Sequence, residues 1–441
     1  MPVDACVALF SDMQSATETH RDAQYHPLQG FPGLRSDRIL ATLGPSLHSP
    51  EQRRLWLQRL AEHDAEASRI EIAQLAPRPQ QLWLSAPRQT ALKQCRQTQI
   101  ERLTDDPAAF ARAVDAAQMP DDYRDGARTF GLYPLFKPLY RSLIAAWQRA
   151  AADVIAPKDT PHWLGYQPVP TTPVAQQPIT LHEDALGLPQ ADAEQLEALF
   201  ARHAPWLKIE QASRNDRIGS PRYDNVGARD FNPLQTRLYQ HTSWSQLNGR
   251  WHLQLIYQFW FSQRPKPQPL DLYGGELDGL LWRVTLDRNG NAVLYDSIHP
   301  CGCWHGFYLP ADSALRFRQP AGEEQRLAQR LTLNGEQAPT LWLSAGEHRL
   351  QWIDGRRSPY PSVTYQRTAL NDLRQLPHPQ GQRSLYASDG LVPGSERLER
   401  WLLWPSGVRS AGAMRQWGRH ATAFIGRAHF DDPQLLQRYF Q

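Results

Sequence analysis

The run Arg250-Trp251-His252-Leu253-Gln254-Leu255-Ile256-Tyr257-Gln258-Phe259-Trp260-Phe261 is rich in aromatic and β-branched residues. Its length and composition predict a central strand rather than one face of a helix. Two further strands, Gly279–Asp287 and Asn291–Ser297, flank Asp287-Arg288-Asn289-Gly290, where Asn-Gly supplies the positive φ angles of a tight hairpin turn. Leu341-Trp342-Leu343 and His348–Ile353 on either side of Ser344-Ala345-Gly346-Glu347 predict a second hairpin.

The first third of the chain has a different period. Ser49-Pro50-Glu51-Gln52 reads as a helix start, with a capping serine, proline at the first helical position and glutamine three residues after the cap. Leu55, Trp56 and Leu60 continue it as an apolar stripe. Asp106-Pro107 opens another helix, with Phe110, Ala113, Val114 and Ala117 at helical spacing before Pro120. A third is predicted over Leu139–Ile155, and Ala191–His203 and Pro433–Phe440 carry shorter helical patterns.

These patterns divide the chain into a mainly helical unit (1–155), a proline-rich linker or strap (156–190), an antiparallel β domain (191–360) and an irregular tail packed on it (361–441). The fold class expected is α+β, a helical N-terminal half followed by a sandwich-like or curved sheet. There is no internal repeat.

A length of 441 residues excludes a single small domain, and 41% hydrophobic with 21% charged residues excludes a disordered polyelectrolyte. A net charge of +3 with no basic run demands neither nucleic acid nor an anionic surface as partner. No apolar segment is long enough to span a membrane, and Asp4, Asp12 and Glu18 interrupt the place of a signal core. The start also fits a mature form behind a new methionine, in which Cys6 once carried a lipid. Four cysteines do not make a disulfide scaffold, and only Cys301 and Cys303 are paired by spacing.

The densest chemistry is His299-Pro300-Cys301-Gly302-Cys303-Trp304-His305, four soft or borderline metal ligands at alternating positions. Extended geometry puts all four on one face, although proline and glycine between them favour a turn that gathers only two or three. Zinc takes thiolate and imidazole ligands, and an open position would make the ion catalytic. Equally open are a strained, comparatively oxidising Cys-Gly-Cys disulfide and plain packing of small buried thiols.

Glu276 and Asp278 enter the first hairpin strand at the end where the His/Cys cluster leaves the second. They are therefore candidate water-activating bases or extra ligands. Glu347 and His348 fit a surface pair better than a distant ligand. Arg415, Arg419, His420, Arg427 and His429 make the tail locally basic. The nucleophile-elbow, zinc-protease, phosphate-loop and dinucleotide signatures are absent.

The segments Tyr257–Phe261, Leu272–Asp287 and Tyr295–His305, together with Gly30–Arg35 and Gly412–His420, resemble an uncharacterised proteobacterial envelope-protein family. The resemblance implies an exported or anchored origin and no established activity. A looser likeness, at fold level only, is to the necrosis-inducing proteins, whose Gly-His-Arg-His-Asp-Trp-Glu heptapeptide is here replaced by Gly275-Glu276-Leu277-Asp278.

The expectation is a periplasmic or envelope protein with a zinc site of His299, Cys301, Cys303 and His305, and Glu276 or Asp278 as base for hydrolysis. The alternatives are a binding or assembly protein with an envelope or glycan partner, and a thiol–disulfide redox protein. Without export, the same chain would be cytoplasmic.

Overall fold

The computed structural model describes residues 2–152, 156–160, 162–170 and 179–441. The end of the predicted helix at 153–155 and Pro161, Pro173 and Pro178 of the proline-rich segment lie outside the described residues.

Eight helices fill the N-terminal part: α1 (Val3–Thr17), α2 (Arg38–Leu43), α3 (Pro50–Ala73), α4 (Pro77–Leu84), α5 (Ala86–Asp105), α6 (Pro107–Ala116), α7 (Asp125–Phe130) and α8 (Tyr133–Ala152). The capping box forms at α3: the Ser49 side chain accepts from the Gln52 amide at 3.1 Å, and the Gln52 side chain accepts from the Ser49 amide at 3.1 Å. Trp56, Leu57 and Leu60 are fully buried against α5 and α6, as their helical spacing requires. Cys6 of α1 and Cys95 of α5 form a disulfide across 89 residues. The spacing of two lone cysteines gave no sign of it, and it occupies the Cys6 sulfur that a lipid would need.

Between residues 163 and 369 the described chain forms a curled sheet of thirteen strands: β1 (Trp163–Pro168), β2 (Trp206–Glu210), β3 (Ile218–Tyr223), β4 (Arg229–Asn232), β5 (Arg237–Leu247), β6 (Arg250–Arg264), β7 (Gly275–Leu286), β8 (Ala292–Ile298), β9 (Gly306–Leu309), β10 (Leu327–Arg330), β11 (Thr340–Leu343), β12 (Leu350–Asp354) and β13 (Ser362–Ala369). Their order is β10-β9-β8-β7-β6-β5-β13-β1-β2-β11-β12, with β3 on β6 and β4 on β3. The α+β architecture and the curved sheet are those expected from the sequence. The sheet is mixed, because β13 runs parallel to both β1 and β5, β11 parallel to β2, and β10 parallel to β9. Strand β1 comes from the proline-rich segment and β13 from beyond residue 360, so both complete the sheet.

β6 is buried from Leu253 through Phe261. One face meets the interior of the curl, where α9 (Ala193–His203) inserts Leu199 and Phe200 beside Tyr257 and Phe259. The other is covered by the C-terminal segment through Leu373, Met414 and Phe430. Burial on both faces explains why the sequence shows a continuous apolar run instead of alternation. At the β7–β8 turn only Gly290 is left-handed, φ +73°, while Asn289 is not. The Asp287 carboxylate accepts from the Asn289 and Asn291 amides and closes a longer turn than Asn-Gly alone predicts.

Candidate functional site

β8 and β9 are joined by the loop that holds the His/Cys cluster. The His299 carbonyl accepts from the Gly302 amide at 2.8 Å, and the Cys303 carbonyl accepts from the His299 amide at 2.9 Å. Pro300-Cys301-Gly302 is thus a three-residue hairpin loop, with proline where φ is negative and Gly302 at φ +91°. A side chain at 302 would also stand 2.2 Å from the Ala421 carbonyl. Trp304, at φ +63°, is an extra residue before the ladder resumes at Ser297 and Gly306. That insertion breaks the alternation which would have put His299, Cys301, Cys303 and His305 on one face.

The predicted residues therefore part company. His299 turns to Asp278, with Nδ1 3.2 Å from Oδ1. His305 turns to Asp296, with Nε2 3.0 Å from Oδ2. Cys301 is buried, Cys303 partly so, and both are free thiols. Glu276 is at the surface, its side chain 67% exposed and 3.5 Å from Arg229. Among the described residues no group of three His, Cys, Asp or Glu side chains is gathered to hold a metal ion.

Asp278 has a second partner that sequence reasoning placed at the surface. His348, in the β11–β12 loop, is fully buried and stacks on Phe261 with ring centroids 3.7 Å apart. Its Nδ1 lies 2.9 Å from Asp278 Oδ2. Its Nε2 lies 3.3 Å from Asp216 Oδ1, an ion-pair distance without hydrogen-bond geometry. Asp216 is fixed in turn by the amides of Ala212, Ser213 and Gly346 at 3.0, 2.6 and 2.7 Å. The exposed member of the expected surface pair is Glu347 alone, facing Arg264.

Burial alone would raise the Asp278 pKa, but the adjacent His299 and His348 hold it well below the usual carboxylate range. Burial lowers His348, and Asp216 and Asp278 more than reverse this, leaving it raised. The result is a buried chain Asp216–His348–Asp278–His299, whose last atom, His299 Nε2, has no hydrogen-bond partner among the described residues.

That residue lines a cavity of about 320 Å³, together with Cys301, Cys303, Glu399, Arg397 and the aromatic side chains Trp147, Trp304 and Tyr273. The neighbouring Cys303 thiol lowers the Cys301 pKa against the effect of burial, with His299 assisting. Cys301 and burial together raise Cys303. Glu399, buried beside the thiols, is pushed up to about 7 by desolvation, against the pull of Arg264 and Arg397. The cavity thus sets a thiol of lowered pKa next to one of raised pKa, beside a carboxyl that titrates near neutrality and an imidazole oriented by a carboxylate. Glu399 had no signal in the sequence, because it comes from a segment about a hundred residues away.

A larger cleft of about 520 Å³ lies beside α1, lined in part by Asp22, His26 and Arg419. Its buried Asp22 is already held by Arg374 and Gln416, so the reactive groups belong to the smaller cavity. No family model, curated protein or solved structure matches this chain.

Proposed function

We propose that the cavity is a thiol–disulfide exchange site. The observation that carries this reading is the unbridged pair of neighbouring thiols, Cys301 and Cys303, with Cys301 the better thiolate, in the lining of one cavity with Glu399 and His299. Cys301 as thiolate attacks a substrate disulfide, forming a mixed disulfide and releasing one substrate thiolate. Cys303 then attacks the Cys301 sulfur, its proton passing to Glu399 as carboxylate, and the second substrate thiolate leaves. Two electrons move from the dithiol to the substrate, and a Cys301–Cys303 disulfide remains. The reverse sequence oxidises a substrate dithiol. The Cys6–Cys95 disulfide supports an oxidising compartment, periplasm or cell envelope, for this chemistry.

A second reading is favoured by one feature of His299. Its Nδ1 is held by a carboxylate while Nε2 is free, the arrangement in which imidazole binds zinc, and two thiols are adjacent. In that reading the loop closes on zinc and supports metal-dependent hydrolysis.

One set of measurements separates the two: elemental analysis, a thiol count, and turnover of bis(hydroxyethyl) disulfide. The exchange reading expects a metal-free protein that reduces the probe. Cys301→Ser abolishes the activity, and Cys303→Ser stops at a mixed disulfide visible by mass spectrometry. Stoichiometric zinc, lost in His299→Ala and Cys303→Ser, with no exchange activity, establishes the metal reading in its place.

A further inference from the structure

α8 carries two apolar stripes. Tyr133, Phe136, Tyr140, Ile144 and Trp147 pack inward, Trp147 meeting Trp304 at 4.9 Å. A second stripe at the same helical spacing, Leu135, Leu139 and Leu143, is left exposed, Leu135 at 73%, and Leu132, in the left-handed turn just before the helix, is exposed too. Beside it the Leu402 carbonyl accepts from Tyr140 Oη at 3.3 Å, which seats α10 (Arg400–Leu403) against α8. From this neighbouring segment Trp401 is 67% exposed and Trp404 42%. Phe130, at the end of α7, is 85% exposed. Of the 21 large apolar side chains exposed along the described chain, nine belong to these two adjoining segments. A soluble surface rarely gathers so many in one place without an occupant.

Charge identifies the occupant. Residues 126–152 contain Arg128, Lys137, Arg141 and Arg149 and no acid, while in the α10 segment Glu396 and Glu399 offset Arg397 and Arg400, so the positive charge of the face comes from α8. Lys137, Arg141, Arg149 and Arg400 have no ion-pair partner among the described residues, so their charge is open to solvent on this face. Leucine and phenylalanine flanked by free cations, with indoles at the margin, is the composition that settles at a lipid–water boundary. No helix among the described residues is long and apolar enough to cross a membrane, so the contact is made by lying on the surface.

We infer that the α8–α10 face docks on an anionic phospholipid bilayer. The apolar stripe enters the headgroup–acyl boundary, and the free cations meet the phosphates. Leu143 and Tyr273 line the dithiol cavity, so docking brings its mouth beside the lipid. The inference stands apart from the exchange reading, because neither stripe nor cations take part in that chemistry.

Flotation of the full chain with vesicles tests it. Vesicles containing phosphatidylglycerol should carry the protein, pure phosphatidylcholine vesicles should carry roughly tenfold less, and added salt should weaken the binding. Leu135→Glu with Trp401→Glu, both at exposed positions, should lose at least roughly tenfold in binding. Leu234→Glu, on another surface where the leucine is 90% exposed, should bind like the native chain, and melting curves check that all three fold alike. Equal binding to uncharged vesicles, unchanged binding of the double variant, or absence of binding with dimerisation through this face would each overturn the inference.

Discussion

Strands β7 and β8 carry two buried histidine–aspartate pairs on opposite faces, made from the same residue types with different consequences. On one face Arg283 grips Asp296 with two hydrogen bonds, 2.8 Å from Nε and 2.6 Å from Nη2, and His305 accompanies them. Phe430 lies 3.8 Å under the guanidinium. On the other face Asp278 meets no arginine among the described residues and is flanked instead by His348 and His299. The first carboxylate has a cation that does not titrate, so His305 can stay neutral, burial lowering it to about 4. The second has imidazoles beside it instead, and one of these faces the cavity. Where a permanent cation satisfies the buried carboxylate the group is a strut; where histidine must do so, protons become part of the structure.

Removing the strut should have the largest effect. Arg283→Met leaves Asp296 buried with His305 alone, and should cost about 3–5 kcal/mol in chemical denaturation. Adding Asp296→Leu should recover much of that loss, because no uncompensated carboxylate remains. The reactivity of Cys301 toward iodoacetamide, measured on folded molecules, should stay unchanged. A loss below about 1 kcal/mol for the single variant would mean that the ion pair is not holding this face.

Asp278→Asn should be milder in stability and stronger in chemistry. The amide keeps the shape but loses the charge facing two histidines, a cost of about 2 kcal/mol. It also releases the orientation of His299, and disulfide exchange should fall roughly tenfold. Equal loss of thiol reactivity in Arg283→Met and Asp278→Asn would erase the distinction between the two faces.

How much of this was readable beforehand follows from sequence distance. Asp278 and His299 are 21 residues apart across one hairpin, and β7–β8 pairing alone brings them to the same end. His348 is 70 residues from Asp278 and Asp216 lies on the far side of β6, so their meeting depends on how the whole sheet curls. Local pattern gives no access to that. His305 illustrates a different limit. Counting alternate residues put it beside His299, and one left-handed residue, Trp304, sends it to Asp296 instead. The α+β architecture rested on long periodic stretches such as β6 and α3. The parallel placement of β1 and β13 depends on partners remote in sequence, and proline-rich composition hid the first of them.

The smallest effect is the most specific, because the two faces should respond to pH with opposite sign. The folded pKa of His348 is raised. Its stabilising contribution is therefore complete below the unfolded value of about 6.5 and is lost as pH rises through the folded value. The unfolding free energy of the native chain minus that of His348→Gln should thus be widest below pH ~6.5 and narrow above it. His305 is lowered to about 4, so the unfolded chain takes up its proton first as pH falls, and the folded state loses stability between about 6.5 and 4. The corresponding difference for His305→Gln should be widest above that window and shrink within it. Neither slope can exceed about 1.4 kcal/mol per pH unit, so matched denaturation series on the same buffers are required. Differences of the same sign would mean that His348 is held neutral like His305, and that Asp278 draws its compensation from a charge other than the imidazole stacked on Phe261.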